Sequence, residues 1–305
     1  VRFCIFSIGS FYELLTNRLH FILWCYHQKR ILMNLKTPLR YPGGKSRALK
    51  FLTQYFPERI QAYCEPFLGG GSVAIWVSQN IPDATVLVND AYYPVFNFWR
   101  MLQSEGKTMS MRLEEIKRST ENDPQEQRRV YKHSQEFMHQ EDIDPLTSAM
   151  AFYIANKCSF SGLATSSFSQ QAYHGNFTIN SIRKLPEYQE LIQHWDITNL
   201  DYSLICNDSY DLDFLFLDPP YDIKSFLYGR DGDKHKGFDH DKFKNQIDKL
   251  QTKFMITYNA NPKLIDLYKT YHCLQWDLKY TMRSTGTYRQ DQKDRKELLI
   301  TNYLR

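Results

Sequence analysis

The 305-residue sequence predicts an α/β protein: a Rossmann-like, mixed but mostly parallel sheet with an inserted, mainly helical subdomain. Three observations predict it. Ala62-Tyr63-Cys64, a glycine-rich turn and the apolar run 73–77 read as strand, tight turn and helix. Thr85-Val86-Leu87-Val88-Asn89-Asp90 reads as a second strand that ends in an acid. Much later, Phe214-Leu215-Phe216-Leu217 is an unbroken apolar run, as expected of a strand covered on both faces. Between the second and third of these lies a stretch of different character, which divides the chain into residues 1–35, 36–95, 96–195 and 196–305.

The first of these divisions is expected to be a non-native or dispensable N-terminal extension, rich in Phe, Ile, Leu and Tyr over residues 1–32. Glu13, Arg18 and His20 interrupt it, so it holds no clean run of about 20 residues to span a bilayer. Met33 stands immediately before the first well-patterned segment. That segment, Arg40-Tyr41-Pro42-Gly43-Gly44-Lys45, is a loop, and Ser46 after it is placed to cap a helix. The upstream glycine of a P-loop is missing, so Lys45 is better suited to another anionic ligand than to a nucleoside triphosphate.

Glu65-Pro66-Phe67-Leu68-Gly69-Gly70-Gly71-Ser72 follows the first strand. Its glycines let a ligand approach the backbone, and the next helix presents its positive end. The spacing is not G-x-G-x-x-G, which argues against a dinucleotide. Asp90, at the tip of the second strand, is placed for ribose hydroxyls. Turn and acid together imply a cofactor containing a nucleoside.

Residues 91–102 predict a helix, 105–141 exposed helices of balanced charge, and 147–156 an apolar helix. Residues 156–182 read as loop. Asn156, Lys157, Phe160, Gly162, Tyr173 and Asn176 suit contacts with base edges and phosphates there, or equally a structural lid. Residues 195–200 predict a third strand, and Asp201-Tyr202 after it could bracket a planar ring. Residues 253–259 predict another buried strand. Residues 274–281 and 297–303 predict a final pair of strands around a basic run, 279–296, which includes Arg283 and Arg289. Net charge is only +4, so nucleic-acid contact would rest on such local patches. The six cysteines are scattered without metal-ligand or disulfide spacing, and the histidines show none either; no metal site is expected, and reduced thiols fit a cytoplasmic protein.

Asp218-Pro219-Pro220-Tyr221 directly follows the apolar strand, where open α/β sheets place their ligands. The plain reading is a Pro-Pro turn closed by an aromatic. The chemical one starts from an exocyclic base amine, whose lone pair is delocalised into its ring. Asp218 can accept a hydrogen bond from such an amine. The prolines fix the backbone and leave a carbonyl with no competing N–H. Tyr221 offers a face on which an extruded base can stack.

In their order, these motifs resemble the Dam-like, D12-class (α-group) adenine-N6 DNA methyltransferases over about residues 36–304. The resemblance implies an S-adenosylmethionine-dependent methyltransferase fold, and S-adenosyl-L-methionine as methyl donor held by Tyr41, Lys45, Glu65, Phe67, Gly69, Gly71, Asp90, Asp201, Tyr202 and Asp218. It implies Asp218, Pro219, Pro220 and Tyr221 as catalytic, and Asn156, Lys157, Phe160, Gly162, Tyr173, Asn176, Arg283 and Arg289 toward double-stranded DNA. The family usually has Asn-Arg where this chain has Asn156-Lys157, and Asp-Phe where it has Asp201-Tyr202. GATC is the family's commonest target. Cytosine-N4 methylation, methylation of RNA or a protein glutamine, and an inactive nucleic-acid binder are the competing readings. A cytoplasmic, bacterial or phage-encoded enzyme is expected, monomeric or weakly dimeric, with a restriction endonuclease as its genetic partner.

Overall fold

The computed structural model describes residues 34–41, 43–140, 142–207, 211–220, 238–277 and 296–304. Seven strands form one sheet: β1 (Ala62–Glu65), β2 (Thr85–Asn89), β3 (Trp195–Thr198), β4 (Phe214–Leu217), β5 (Lys253–Asn259), β6 (His272–Asp277) and β7 (Lys296–Thr301). Their order is β3-β2-β1-β4-β5-β7-β6. The first five are parallel; β7 enters antiparallel between β5 and β6. The order reverses at β1 and β4, so their C-terminal ends open onto a shared crevice.

Both faces of the sheet are buried at β4, which is why it reads as an unbroken apolar run, whereas the edge strand β6 is mostly exposed. Phe214 and Phe216 enter one core, with Tyr63, Val86, Val88 and Met255; Leu215 and Leu217 enter the other, with Cys64, Leu87, Phe254 and Ile256. The period-two alternation of a strand assigns each side chain to its layer.

Eleven α-helices are present among the described residues. A short α1 (Leu49–Leu52) lies between two 3-10 turns, and α2 (Ser72–Asn80) follows β1. Between β2 and β3 run α3 (Tyr93–Thr120), α4 (Pro124–Phe137), α5 (Pro145–Cys158), α6 (Gln170–Asn176), α7 (Ile179–Arg183) and α8 (Leu185–Leu191). The last three are α9 (Tyr202–Ile205), α10 (His240–Ile247) and α11 (Pro262–Leu267). The 28-residue α3 leaves helical geometry at Glu105, where φ is −124°. Its first part buries Phe98, which packs on Tyr153 of α5, Trp99, which meets Trp195 of β3, and Leu102; Gly106 then lets the helix touch Gln189.

Two local expectations are corrected. Ser46 makes no cap: it sits inside the 3-10 turn Lys45–Arg47, which has no side-chain cap. Residues 170–183 are largely helical rather than loop. Ser169 caps α6, and Thr178 with Ser181 forms a reciprocal capping box on α7. The Ser, Thr and Asn content that suggested a loop is here the chemistry of helix starts.

Candidate active site

The tip of β4 carries Asp218, and both of its carboxylate oxygens are held. Lys45 Nζ donates to Oδ2 at 2.7 Å, and Thr257 Oγ1 donates to Oδ1 at 2.8 Å. Lys45 is buried and gives a second hydrogen bond to the Gly43 carbonyl, also at 2.7 Å. Pro219 is buried and Pro220 half-buried beside it. Parallel pairing of Leu217 with Ile256 brings the next residues along, Asp218 and Thr257, level with each other.

The turn after β1 is built around one buried carboxyl. Glu65 Oε2 accepts from the Tyr63 hydroxyl at 2.8 Å and from the Ala74 N–H at 2.9 Å. Tyr63 and Glu65 share a face because they are two apart on a strand. Burial pushes the Glu65 carboxyl up to about 8, against the pull of those two donors. Gly69 and Gly71 have positive φ, 47° and 63°. A Cβ on Gly69 would lie 2.7 Å from the Tyr41 ring, and one on Gly71 would lie 2.7 Å from Trp99. Trp99 Nε1 also donates to the Gly69 carbonyl at 3.0 Å.

Two polar residues fasten this turn to β2 and β3. Asp90 accepts from the Gly69 N–H on one oxygen and the Tyr92 N–H on the other, each at 2.8 Å. The fully buried Asn89 donates to the carbonyls of Pro66 and Leu200 and accepts from Thr198 and the Leu200 N–H. Asn89 is thus the brace between the first and third strand tips, a role its place beside Asp90 in the sequence did not reveal.

Phe67 and Tyr202 meet at this end of the sheet, rings 5.4 Å apart. Phe238 stands against both, at 5.9 and 5.4 Å, and Phe243 closes the cluster. Asp201 is exposed beside them and caps α9 through Ser203. Phe238 had no sequence signal beyond being an aromatic among glycines and charges. Thr257 had one: it is a hydroxyl that directly follows the apolar run Phe254-Met255-Ile256, on a predicted strand beyond the Asp218-Pro219-Pro220-Tyr221 stretch.

The insertion distributes its residues differently. Asn156 is buried, and its amide is spent on backbone: it accepts from the Arg40 N–H and donates to the carbonyls of Arg40 and Gly162. Gly162, at φ 82°, leaves no room for a Cβ, which would lie 2.6 Å from the Arg40 carbonyl oxygen. Arg40 also donates to the Ser159 carbonyl at 2.8 Å. Lys157 is buried over the Tyr153 ring, and burial, with Arg40 nearby, pulls its ammonium down to about 8. Tyr173 is buried against Thr120 and beneath Lys117. Asn176 is half-buried at the end of α6. Phe160 alone among the six DNA contacts expected within the insertion stands far out, at 63% exposure. Tyr221, Arg283 and Arg289 lie outside the described residues.

A family model for D12 class N6 adenine-specific DNA methyltransferases matches residues 41–282 of this chain. The chain belongs to that family. Similar curated proteins include the type II methyltransferase M.CviBI of Paramecium bursaria Chlorella virus NC1A, 23% identical over 88% of this chain and all of that protein. The type II methyltransferase M.MjaIII of Methanocaldococcus jannaschii is 22% identical over 89% of this chain and all of its own length. The type II methyltransferase M1.LlaDCHI of Lactococcus lactis subsp. cremoris is 21% identical over 89% and 96%. The family assigns the chemistry: methylation of the adenine N6 amine in DNA. The match spans the glycine turn, the insertion and the Asp218 tip, so all three regions belong to one DNA adenine methyltransferase. Among its described residues no helix is long and apolar enough to cross a membrane.

Proposed function

We propose that this methyltransferase uses S-adenosyl-L-methionine to methylate adenine in a short double-stranded site, with Asp218 and the Pro219 carbonyl holding the target amine. The observation that carries the reading is the Asp218 carboxylate, at a sheet tip beside two prolines and fixed through both oxygens. The residues nearby fit such a donor. The positive-φ glycines 69 and 71 let the Tyr41 and Trp99 rings close on the turn, Phe67, Tyr202 and Phe238 offer flat faces for its adenine, and Asp90, Asp201 and Lys45 supply polar groups. When bound, the donor supplies a methyl carbon on a sulfonium, so that a nitrogen–carbon bond forms as the carbon–sulfur bond breaks. The chain's own residues do the rest. Asp218 and the Pro219 carbonyl accept the two N–H bonds of the amine and orient its lone pair. They also stabilise the positive charge that the nitrogen carries until it releases one proton to solvent, while the sulfonium leaves as a neutral thioether.

The target N6 lies inside the duplex, so the base must leave the stack, at a cost of a few kcal/mol. Stacking on Tyr221 would return about 1–3 kcal/mol. Residues 96–195 act as the target-recognition subdomain between a cofactor-binding part, 36–95, and a catalytic part, 196–305. The exposed Phe160 faces the duplex, together with Asn176 and the basic run that contains Arg283 and Arg289. GATC is the first site to test. A cytoplasmic enzyme with a cognate endonuclease as genetic partner is the setting that fits type II relatives.

The test is expression in a methylation-deficient bacterial host followed by single-molecule sequencing of its genomic DNA. N6-methyladenine in one recurring short motif is expected. N4-methylcytosine would overturn the base assignment, and unmodified DNA would overturn the proposed substrate.

A further inference from the structure

The Asp218 carboxylate is reached from two directions by parts of the chain far apart in sequence. Lys45 comes from the segment before β1, and Thr257 from the middle of β5. We propose that Thr257 is a positioning residue for methyl transfer: its hydroxyl sets the plane of the Asp218 carboxylate. This rests on the catalytic reading of Asp218 given above.

The terminal torsion of an aspartate is broad, so a carboxylate held at one oxygen can still turn about that contact. A second donor on the other oxygen removes this freedom. Lys45 supplies the first donor, and its ammonium is itself tied to the Gly43 carbonyl. Thr257 supplies the second from a stiffer base. Its side chain is fully buried, and β-branching restricts its first torsion. Its strand is paired on both sides, with β4 through Ile256 and Leu217, and with β7 through Thr257 and Leu299. Each carboxylate oxygen keeps a further lone pair, so both can be held and one still accept an amine N–H. The direction of that accepting lone pair fixes where the amine nitrogen points. A small error in that direction is costly because transfer needs the reacting atoms aligned.

Thr257→Val removes the hydroxyl at nearly constant volume, and Thr257→Ser keeps it. The full-length enzyme, in excess over methylation-free plasmid DNA, is followed in a single turnover with tritiated S-adenosylmethionine. Donor and DNA affinities are measured alongside by calorimetry and filter binding. The valine variant is expected to slow transfer about 10- to 100-fold, the size of a lost hydrogen bond to a charged group. Both affinities should stay within about 3-fold, and serine should restore the rate to within about 3-fold of wild type. Where the valine variant melts early, Thr257→Ala removes the same hydroxyl without new bulk and carries the comparison. A wild-type rate in the hydroxyl-free variant overturns the proposal. So does a loss shared equally by rate and both affinities that serine does not restore. Asp218→Asn, run in parallel, separates the two levels: if it transfers methyl at the wild-type rate, the catalytic reading of Asp218 fails. An inactive asparagine variant beside a fully active valine variant sinks only the role of Thr257.

Discussion

The turn after β1 and the turn after α5 share a plan. Each places a buried polar side chain, Glu65 or Asn156, a few residues ahead of a glycine with positive φ. Each packs that glycine on the segment 40–41, Gly69 against the Tyr41 ring and Gly162 against the Arg40 backbone. They differ in the group that is buried. Asn156 spends its amide on three backbone partners and has no charge to lose. Glu65 takes both of its hydrogen bonds on one oxygen and can ionise. Asn156 therefore acts as an uncharged strut, and any titration in that turn belongs to its neighbour Lys157. The β1 turn carries a stored titration, at the place proposed above for the methyl donor.

Three experiments sharpen or break this contrast. The largest effect is expected from Glu65. Its carboxyl titrates near 8 when folded and near the ordinary value of 4.5 when unfolded. The folded state therefore binds the proton more tightly, and stability falls as pH rises from about 4.5 to about 8. Urea unfolding between pH 5 and 8 should show wild type losing a few kcal/mol relative to Glu65→Gln, which has no such proton. Parallel curves for the two proteins would show that Glu65 is not the titrating group. Next comes Asn156→Ala, which strips partners from the Arg40 N–H and from the carbonyls of Arg40 and Gly162. A loss of about 1–3 kcal/mol in urea is expected, equal at pH 5 and pH 8. A variant of unchanged stability that binds DNA poorly would instead return Asn156 to the DNA face. The smallest effect on stability belongs to Phe160→Ala, within about 0.5 kcal/mol because the ring is exposed. Its loss should appear in duplex affinity, read by filter binding; unchanged affinity would remove Phe160 from the interface.

The two turns also differ in how legible they were. Around the sheet, residue order carried position. Strands alternate their faces and parallel strands open at the same end, and so Asp218, Asp90 and Asp201 could each be placed at a strand tip by counting alone. In the insertion the same reasoning stopped short. Asn156, Lys157 and Tyr173 have polar groups and looked available, yet helix packing buries all three. Loop composition misled for a related reason: Ser169 and Thr178 satisfy helix N-termini, which needs the same short oxygen side chains as a turn.

What the sequence determined by itself was the set of strands, the place of Asp218 at a strand tip and the family chemistry, because these depend on short-range periodicity and on motifs contiguous in the chain. The tertiary structure alone decided which partners those residues have. Lys45 reaches Asp218 across 173 positions, Arg40 meets Asn156 across 116, and Thr257 meets Asp218 across 39. Hydrogen bonds of this kind form between elements that the sheet order and helix packing bring together. No local pattern of residues encodes them, since each partner's own neighbours would read the same without the contact.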